Sequence, residues 1–267
     1  MNESSSLSAP EGLVLMNPRT SGREAVKLGL MELLAKRALI VQKAERKGLF
    51  GKRQTRVKVA SGSRLRKPHM QMLHRALFSV VRLKWGEADG VTMRVLVKGL
   101  HKPFGANLQG FVSHYVRRDL IVNGLLEQKT KRFLGMIPYA SYQLTAAGKK
   151  AHARLDQQMQ QARTLPKLLA SDPAQAAALA IALGGSVLLV EELRPYLEEL
   201  AGVVRQYGAG GEGGDAGYGA DEELTWELDA EALNALDAGM ADLEASFDAA
   251  TSDGNNGGNG GGNGGGD

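Results

Sequence analysis

From Gly22 the apolar residues Val26, Leu30, Leu33 and Leu34 recur at three- and four-residue spacing, which predicts a helix ending near Ala38. The following stretch, LIVQKAERKGLFGKRQTRVKVASG, changes to alternation around Gly48 and Gly51 and predicts a basic β-hairpin over about 39–60. Helical spacing returns with Met72, Leu73, Leu77, Val80 and Val81, predicting a helix over about 69–84 that the segment GEADG breaks. Two more helices are expected at about 92–101 and 105–123. The second stops at Gly124, a residue suited to the left-handed conformation past a helix end. A second hairpin is expected over about 129–144, and Thr145 then caps the helix TAAGKKAHARLDQQMQQA. The stretch SDPAQAAALAIAL starts another helix, with Ser171 or Asp172 as cap and Pro173 in the first turn. A last helix, SVLLVEELRPYLEELAGVVRQYG, is expected to bend or break near Pro195. No internal repeat is visible.

The second hairpin departs from the usual rule for loops. In GLLEQKTKRFLGMIPYASYQLT, Phe133, Leu134, Met136, Ile137 and Tyr139 surround the turn directly after Lys129, Lys131 and Arg132. Hairpin tips are ordinarily polar because they sit in water. An apolar tip beside a cationic strand calls for a cover, either a protein surface or a membrane.

Charge sharpens this picture. All 33 Lys and Arg fall within residues 1–207 against 15 Asp and Glu, a net +18, whereas residues 208–267 hold 14 acids and no base, a net −14. A basic body joined to an acidic tail points to a polyanionic partner: nucleic acid, anionic lipid or the tail itself. The organisation expected is a disordered start at 1–6 and one mainly α domain with two β-hairpins at 7–207. A Gly-rich linker at 208–220, an acidic amphipathic segment at 221–249 and a disordered Gly/Asn tail at 250–267 follow.

Composition removes several classes. The chain has no cysteine, which excludes disulfide frameworks and thiolate metal sites and is compatible with a reducing compartment. MNESSSLSAPEG shows no secretory signal, and the apolar run AAALAIALGGSVLLV at 176–190 is too short for a membrane span and is split by Gly184 and Gly185. It predicts a buried helical hairpin. No phosphate-binding loop, nucleophile elbow or metalloprotease motif occurs, and the five histidines are scattered without carboxylates at ligand spacing. Glu191, Glu192, Glu198 and Glu199 share a helix with Arg194 and read as a solvated face. Neither an enzyme nor a cofactor is expected. The basic clusters point instead to polyanion binding, and helices followed by a basic hairpin also describe a winged helix that binds nucleic acid.

Several segments, in order from Leu7 to Tyr207, make the chain resemble the Golgi phosphoprotein 3 family. LSAPEGLVLM supplies Leu7, Ser8, Glu11, Leu13 and Leu15 of its opening motif, and ELLAKRAL supplies Glu32, Leu33, Lys36, Arg37 and Leu39. Leu120, Gly124 and Leu126 match a Leu-x-x-x-Gly-x-Leu pattern; Phe133, Leu134, Leu144 and Thr145 match its hairpin and following Leu-Thr; SDPAQAAALAIAL matches a later stretch. The resemblance implies a mostly helical domain that binds phosphatidylinositol 4-phosphate on a cytosolic membrane face. That face is the Golgi in a eukaryote and the plasma membrane in a bacterium. It also implies an adaptor for the cytosolic tails of membrane proteins. The family's lipid-site positions fall at Val26, Gly110 and Ser113, and the loop NPRTSG lacks its Trp. The resemblance therefore implies a phosphate site rebuilt from Arg23, Lys27, Arg117 and Arg118. Phe133, Leu134, Met136 and Ile137 would enter lipid or meet a second subunit, with Lys129, Lys131 and Arg132 on headgroups.

Overall fold

The computed structural model describes residues 7–45, 53–59, 65, 67–85, 91–105, 107–133 and 136–208. The disordered start at 1–6 and everything expected beyond Gly208 lie outside the described residues. The described fold is mainly helical, with two separate antiparallel strand pairs.

Two short capped helices open it. Ser8 caps α1 (Ala9–Met16) and Ser21 caps α2 (Gly22–Ala35), each in a reciprocal capping box with the Glu three residues on, Glu11 and Glu24. Almost every residue of α2 is buried, so it forms the centre of the core. Arg37, at φ 51°, ends the helix, and Ala38 N–H donates back to the Leu33 carbonyl at 2.8 Å. The first hairpin follows, β1 (Leu39–Glu45) with β2 (Arg53–Val59), paired from Leu39–Val59 to Glu45–Arg53.

Helix α3 (Pro68–Trp85) leads to Val91, which adds a one-residue bridge to β2 by exchanging both backbone hydrogen bonds with Val57, at 2.7 and 3.0 Å. Helix α4 (Met93–Phe104) turns through Gly105, at φ 82°, into a continuous rod. The rod comprises α5 (Gln109–Phe111), one π-helical turn (Val112–Val116) and α6 (Arg117–Val122). Gly124, at φ 69°, ends it, and Leu125 N–H donates to the Leu120 carbonyl at 2.8 Å. β3 (Leu126–Phe133) then pairs with β4 (Ile137–Leu144), starting at Leu126–Leu144 and closing at Phe133–Ile137. This hairpin begins three residues earlier than its polarity predicts, because Leu126 continues straight from the helix stop and pairs with Leu144.

Thr145 caps α7 (Ala146–Ala162) as expected, its hydroxyl accepting from Gly148 N–H. Helix α8 (Leu165–Ser171) was not evident from spacing, being only two turns long. α9 (Pro173–Leu183), capped by Asp172, packs on α10 (Leu197–Gly208). Between them lie two tight 3₁₀ turns, Gly184–Leu189 and Glu191–Tyr196, so the last helix is interrupted rather than bent at Pro195. The apolar run at 176–190 therefore packs mostly into the core, with Ala178, Ile181 and Ala182 left exposed. Among the described residues no helix is long and apolar enough to cross a membrane.

The order helix, left-handed stop, hairpin occurs twice. Gly22 and Gln109 begin the helices, Arg37 and Gly124 stop them, and Leu39 and Leu126 begin the strands, each pair 87 positions apart. The two copies touch at their equivalent first residues. Gly22 N–H donates to the Gln109 side chain at 2.8 Å, and a Cβ on Gly22 would stand 2.2 Å from the Leu108 carbonyl carbon. This is a repeat that the sequence pattern conceals.

Candidate functional site

The repeat shows where the molecule is open. Val26, Met31, Leu34 and Ala35 of α2 are buried, whereas their counterparts 87 positions on, Ser113, Arg118, Ile121 and Val122, line an open groove of about 340 Å³ with His114, Gln128 and Tyr142. Val122 is 77% exposed where Ala35 is fully covered. Among the described residues no carboxylate lines this groove. It lies along the π-helical turn, where one wide turn displaces the following side chains around the rod; such turns often occur at functional positions. His114, Arg118 and Val122 follow one another at i, i+4 and i+8, one stripe of the helix.

Of the four cations expected to hold a phosphate, Arg118 lines the groove. Arg117 turns inward: its Nη2 donates to the Pro18 carbonyl at 2.6 Å and its guanidinium lies 4.5 Å from the Tyr142 ring centre. It fastens the α1–α2 loop to the base of the second hairpin. Arg23 and Lys27 sit on the first turns of α2, away from the groove lining. Burial, with the charges of Arg23 and Lys98, holds His101 below the ordinary imidazole range. Lys27 adds its charge to the Ser21 backbone hydrogen bond and other contacts that keep Glu24 low against partial burial.

The β3–β4 register sorts the remaining candidates by face. Residues directly opposite one another project from the same side of a strand pair. Lys131 opposes Tyr139, Lys129 opposes Ser141 and Phe133 opposes Ile137, so one face carries two cations and the apolar end of the hairpin. The other face carries Gln128, Thr130, Arg132, Pro138 and Tyr142, and includes the groove residues. Arg132 thus parts from the two lysines. Lys129 reaches Glu127 at 2.7 Å and Gln143 at 3.1 Å, both in solvent, which reduces its free charge. Met136, Ile137 and Tyr139 are 80%, 64% and 48% exposed. The Phe133 side chain and all of Leu134 lie outside the described residues.

A buried polar chain is the feature least visible in the sequence. Ser8 Oγ lies 2.7 Å from His69 Nε2, and His69 Nδ1 lies 2.6 Å from Asp119 Oδ2, which also accepts the His69 backbone N–H at 3.1 Å. Burial alone would raise the Asp119 carboxyl, but the hydrogen bonds and charge of His69, with Lys67, hold it below the ordinary carboxylate range. The spacing is that of a nucleophile, base and carboxylate, yet the surroundings close it. Ser8 is 4% exposed, its Oγ also accepts from Glu11 N–H, and His69 is fully buried. The nearby amides of Ser8 and Ala9 already donate to Glu11 and Glu32, whose carboxylates would repel an oxyanion. Glu11 meets Lys67 at 3.2 Å and Glu32 meets Lys36 at 2.7 Å. The chain ties the starts of α1 and α3 to α6. Glu32 and Asp119 are themselves counterparts in the repeat, each accepting a backbone N–H at the start of another helix.

Among the described residues no group of three or more His, Asp or Glu stands ready for a metal ion. The chain matches none of the protein-family models and none of the curated proteins compared with it.

Proposed function

We propose that this protein docks reversibly on an anionic membrane face through β3–β4. The observation that carries this reading is the strand register, which gathers Lys129 and Lys131 with Ile137 and Tyr139 on one face below an exposed Met136 tip. An anionic bilayer offers apolar chains and negative headgroups at adjoining depths, which is the chemistry this face requires. Burying Met136 and Ile137 contributes about 1.5–3 kcal/mol each when fully covered. Each cation near the headgroups adds about 1 kcal/mol. Those terms suit reversible attachment rather than permanent anchoring.

Nucleic acid is a second reading, favoured by one observation: α4, a Gly-containing turn, the α5–α6 rod and a basic hairpin follow in the order of a helix-turn-helix with a wing. The entry end of that rod is occupied, however. Gly22 abuts Leu108 and Gln109, so the N-terminal turn that would meet base edges is packed against α2. The apolar tip has no role on a phosphate backbone. Membrane docking therefore accounts for more of the surface.

Co-sedimentation with vesicles of neutral lipid, phosphatidylserine or phosphoinositide, with and without competing duplex DNA, tests the choice. Expected is binding to both anionic vesicles, weakened about tenfold or more in Met136→Ser/Ile137→Ser with the circular dichroism unchanged. Binding that the tip variant retains in full, or that duplex DNA abolishes while itself binding more tightly, would overturn the membrane reading.

A further inference from the structure

The groove beside α6 differs in chemistry from the membrane face. It pairs polar and cationic side chains, His114 and Arg118, with Ile121 and Val122, and faces the opposite side of the hairpin from Lys129 and Lys131. In the first copy of the repeat the corresponding helix face is buried within the body; here it stands open with Val122 exposed. An occupant needs an apolar stripe flanked by acids, to cover Ile121 and Val122 while meeting Arg118 and His114.

The chain itself contains that chemistry. In residues 221–249, LTWELDAEALNALDAGMADLEASF lies within a run of ten acids and no base. Leu233, Leu236, Met240, Leu243 and Phe247 recur at alternating three- and four-residue spacing, the period of one helix face. The whole stretch after Gly208 carries 14 acids against the +18 of the preceding body. The 12 residues between Gly208 and Asp221 are Gly-rich, and such a linker spans about 20 Å on average and twice that when extended. Tethering at this length corresponds to an effective concentration of order mM, so a contact of only ~0.1 mM affinity is formed about nine-tenths of the time.

We propose that the groove formed by Ser113, His114, Arg118, Ile121, Val122, Gln128 and Tyr142 binds the acidic amphipathic segment 221–249 of the same chain. The contact neutralises the cations beside the hairpin and covers the apolar edge of α6. It lowers the field that an anionic surface meets on approach, so an anionic membrane and the segment compete for the basic body. The contact does not depend on the membrane reading, since it uses the other face of the hairpin.

The two tryptophans, Trp85 and Trp226, make the test direct. The full chain is labelled with 5-fluorotryptophan, and the Trp226 fluorine resonance is assigned by its loss on truncation after Gly208. Expected is a Trp226 resonance displaced from its position in a synthetic 209–267 peptide, unchanged on tenfold dilution, and returned to the peptide position by 0.5 M salt or by Arg118→Glu/Val122→Ser. Both substituted side chains are exposed, so the fold tolerates the change. A second variant, with the ten acids of 221–249 changed to amides, is expected to give the same return. A resonance already at the peptide position in the parent would overturn the proposal. So would a displacement lost on dilution, which would mean a second copy supplies the segment, or one kept in the groove variant but lost in Lys129→Glu/Lys131→Glu, which would place it on the other face. None of these readouts involves lipid, so failure here and failure of membrane docking are separate results.

Discussion

The two helix–hairpin copies share a path and differ in what covers them. In the first, α2 is surrounded, and Val57 of the hairpin is sealed by the Val91 bridge. In the second, the α5–α6 rod keeps Leu120 and Val116 in the core but turns Ser113, His114, Arg118 and Val122 to an open groove, and its hairpin ends in exposed Met136 and Ile137. Over the 18 positions from Gly22 to Leu39, only Leu33/Leu120 and Leu39/Leu126 are identical, with Glu32/Asp119 alike in charge. The leucines close the helix end and begin the strand, and the acids accept a backbone N–H from another helix start. These are the requirements of the path. Several remaining positions follow their surroundings, as buried Leu30 and Met31 against Arg117 and Arg118, whereas Val122 stays apolar although exposed. One backbone unit has become scaffold and the other surface.

If the shared acids hold the path, removing either is the largest disruption available. Asp119→Ala takes the carboxylate from fully buried His69, and Glu32→Ala takes it from the buried Ala9 N–H and part-exposed Lys36; each is expected to cost about 3–5 kcal/mol in chemical denaturation. The pH dependence has a definite sign. Asp119 is held below the ordinary carboxylate range, so its contribution is present above the unfolded value near ~3.9 and lost as pH falls through the lower folded value. Asp119→Asn should remove that component of acid unfolding. A loss of less than about 1 kcal/mol at both positions would show that the carboxylates do not hold the two copies in place.

A matched pair sharpens the contrast between the helix faces. Met31→Ala opens a cavity in the core and is expected to cost about 2–5 kcal/mol. Its counterpart Arg118→Ala should change stability by no more than about 0.5 kcal/mol while altering the groove. Similar losses at both sites would mean that the second face is as covered as the first. Between these two lies the effect expected at the seam. Gly22→Ala forces a Cβ against the backbone of Leu108 and Gln109, at an expected cost of about 1–3 kcal/mol, read as a lower melting temperature.

Much of this fold was legible, and for a physical reason in each case. Long amphipathic spacing revealed α2 and α3, the Thr145 cap revealed α7, and Gly124 marked where the helix before the second hairpin stops. Helix α1 was missed as a helix because eight residues give barely two turns of periodicity, although its Ser8–Glu11 box was present to be read. The repeat escaped notice because burial, which selects most side chains, differs between the copies. The Ser8–His69–Asp119 chain joins residues 61 and 50 positions apart, and no local spacing encodes such a contact. Of the expected phosphate-binding cations, Arg117 and Arg118 are adjacent in sequence but point to different places, since neighbouring residues on a helix do not share a face. The hairpin candidates were readable because alternation in a strand fixes the face of each residue once the register is known.

The contrast between the hairpins also permits the most direct test of membrane docking. The chain has no cysteine, so a single cysteine can carry an environment-sensitive nitrobenzoxadiazole dye at Met136→Cys in the second hairpin or at Ile40→Cys in the first. With phosphatidylserine vesicles, the dye at position 136 is expected to brighten, shift to the blue and be quenched by nitroxide placed in the acyl chains, while the dye at position 40 stays unchanged. Equal responses at both positions, or a dye at position 136 that remains in water while the protein is bound, would contradict docking through the β3–β4 tip.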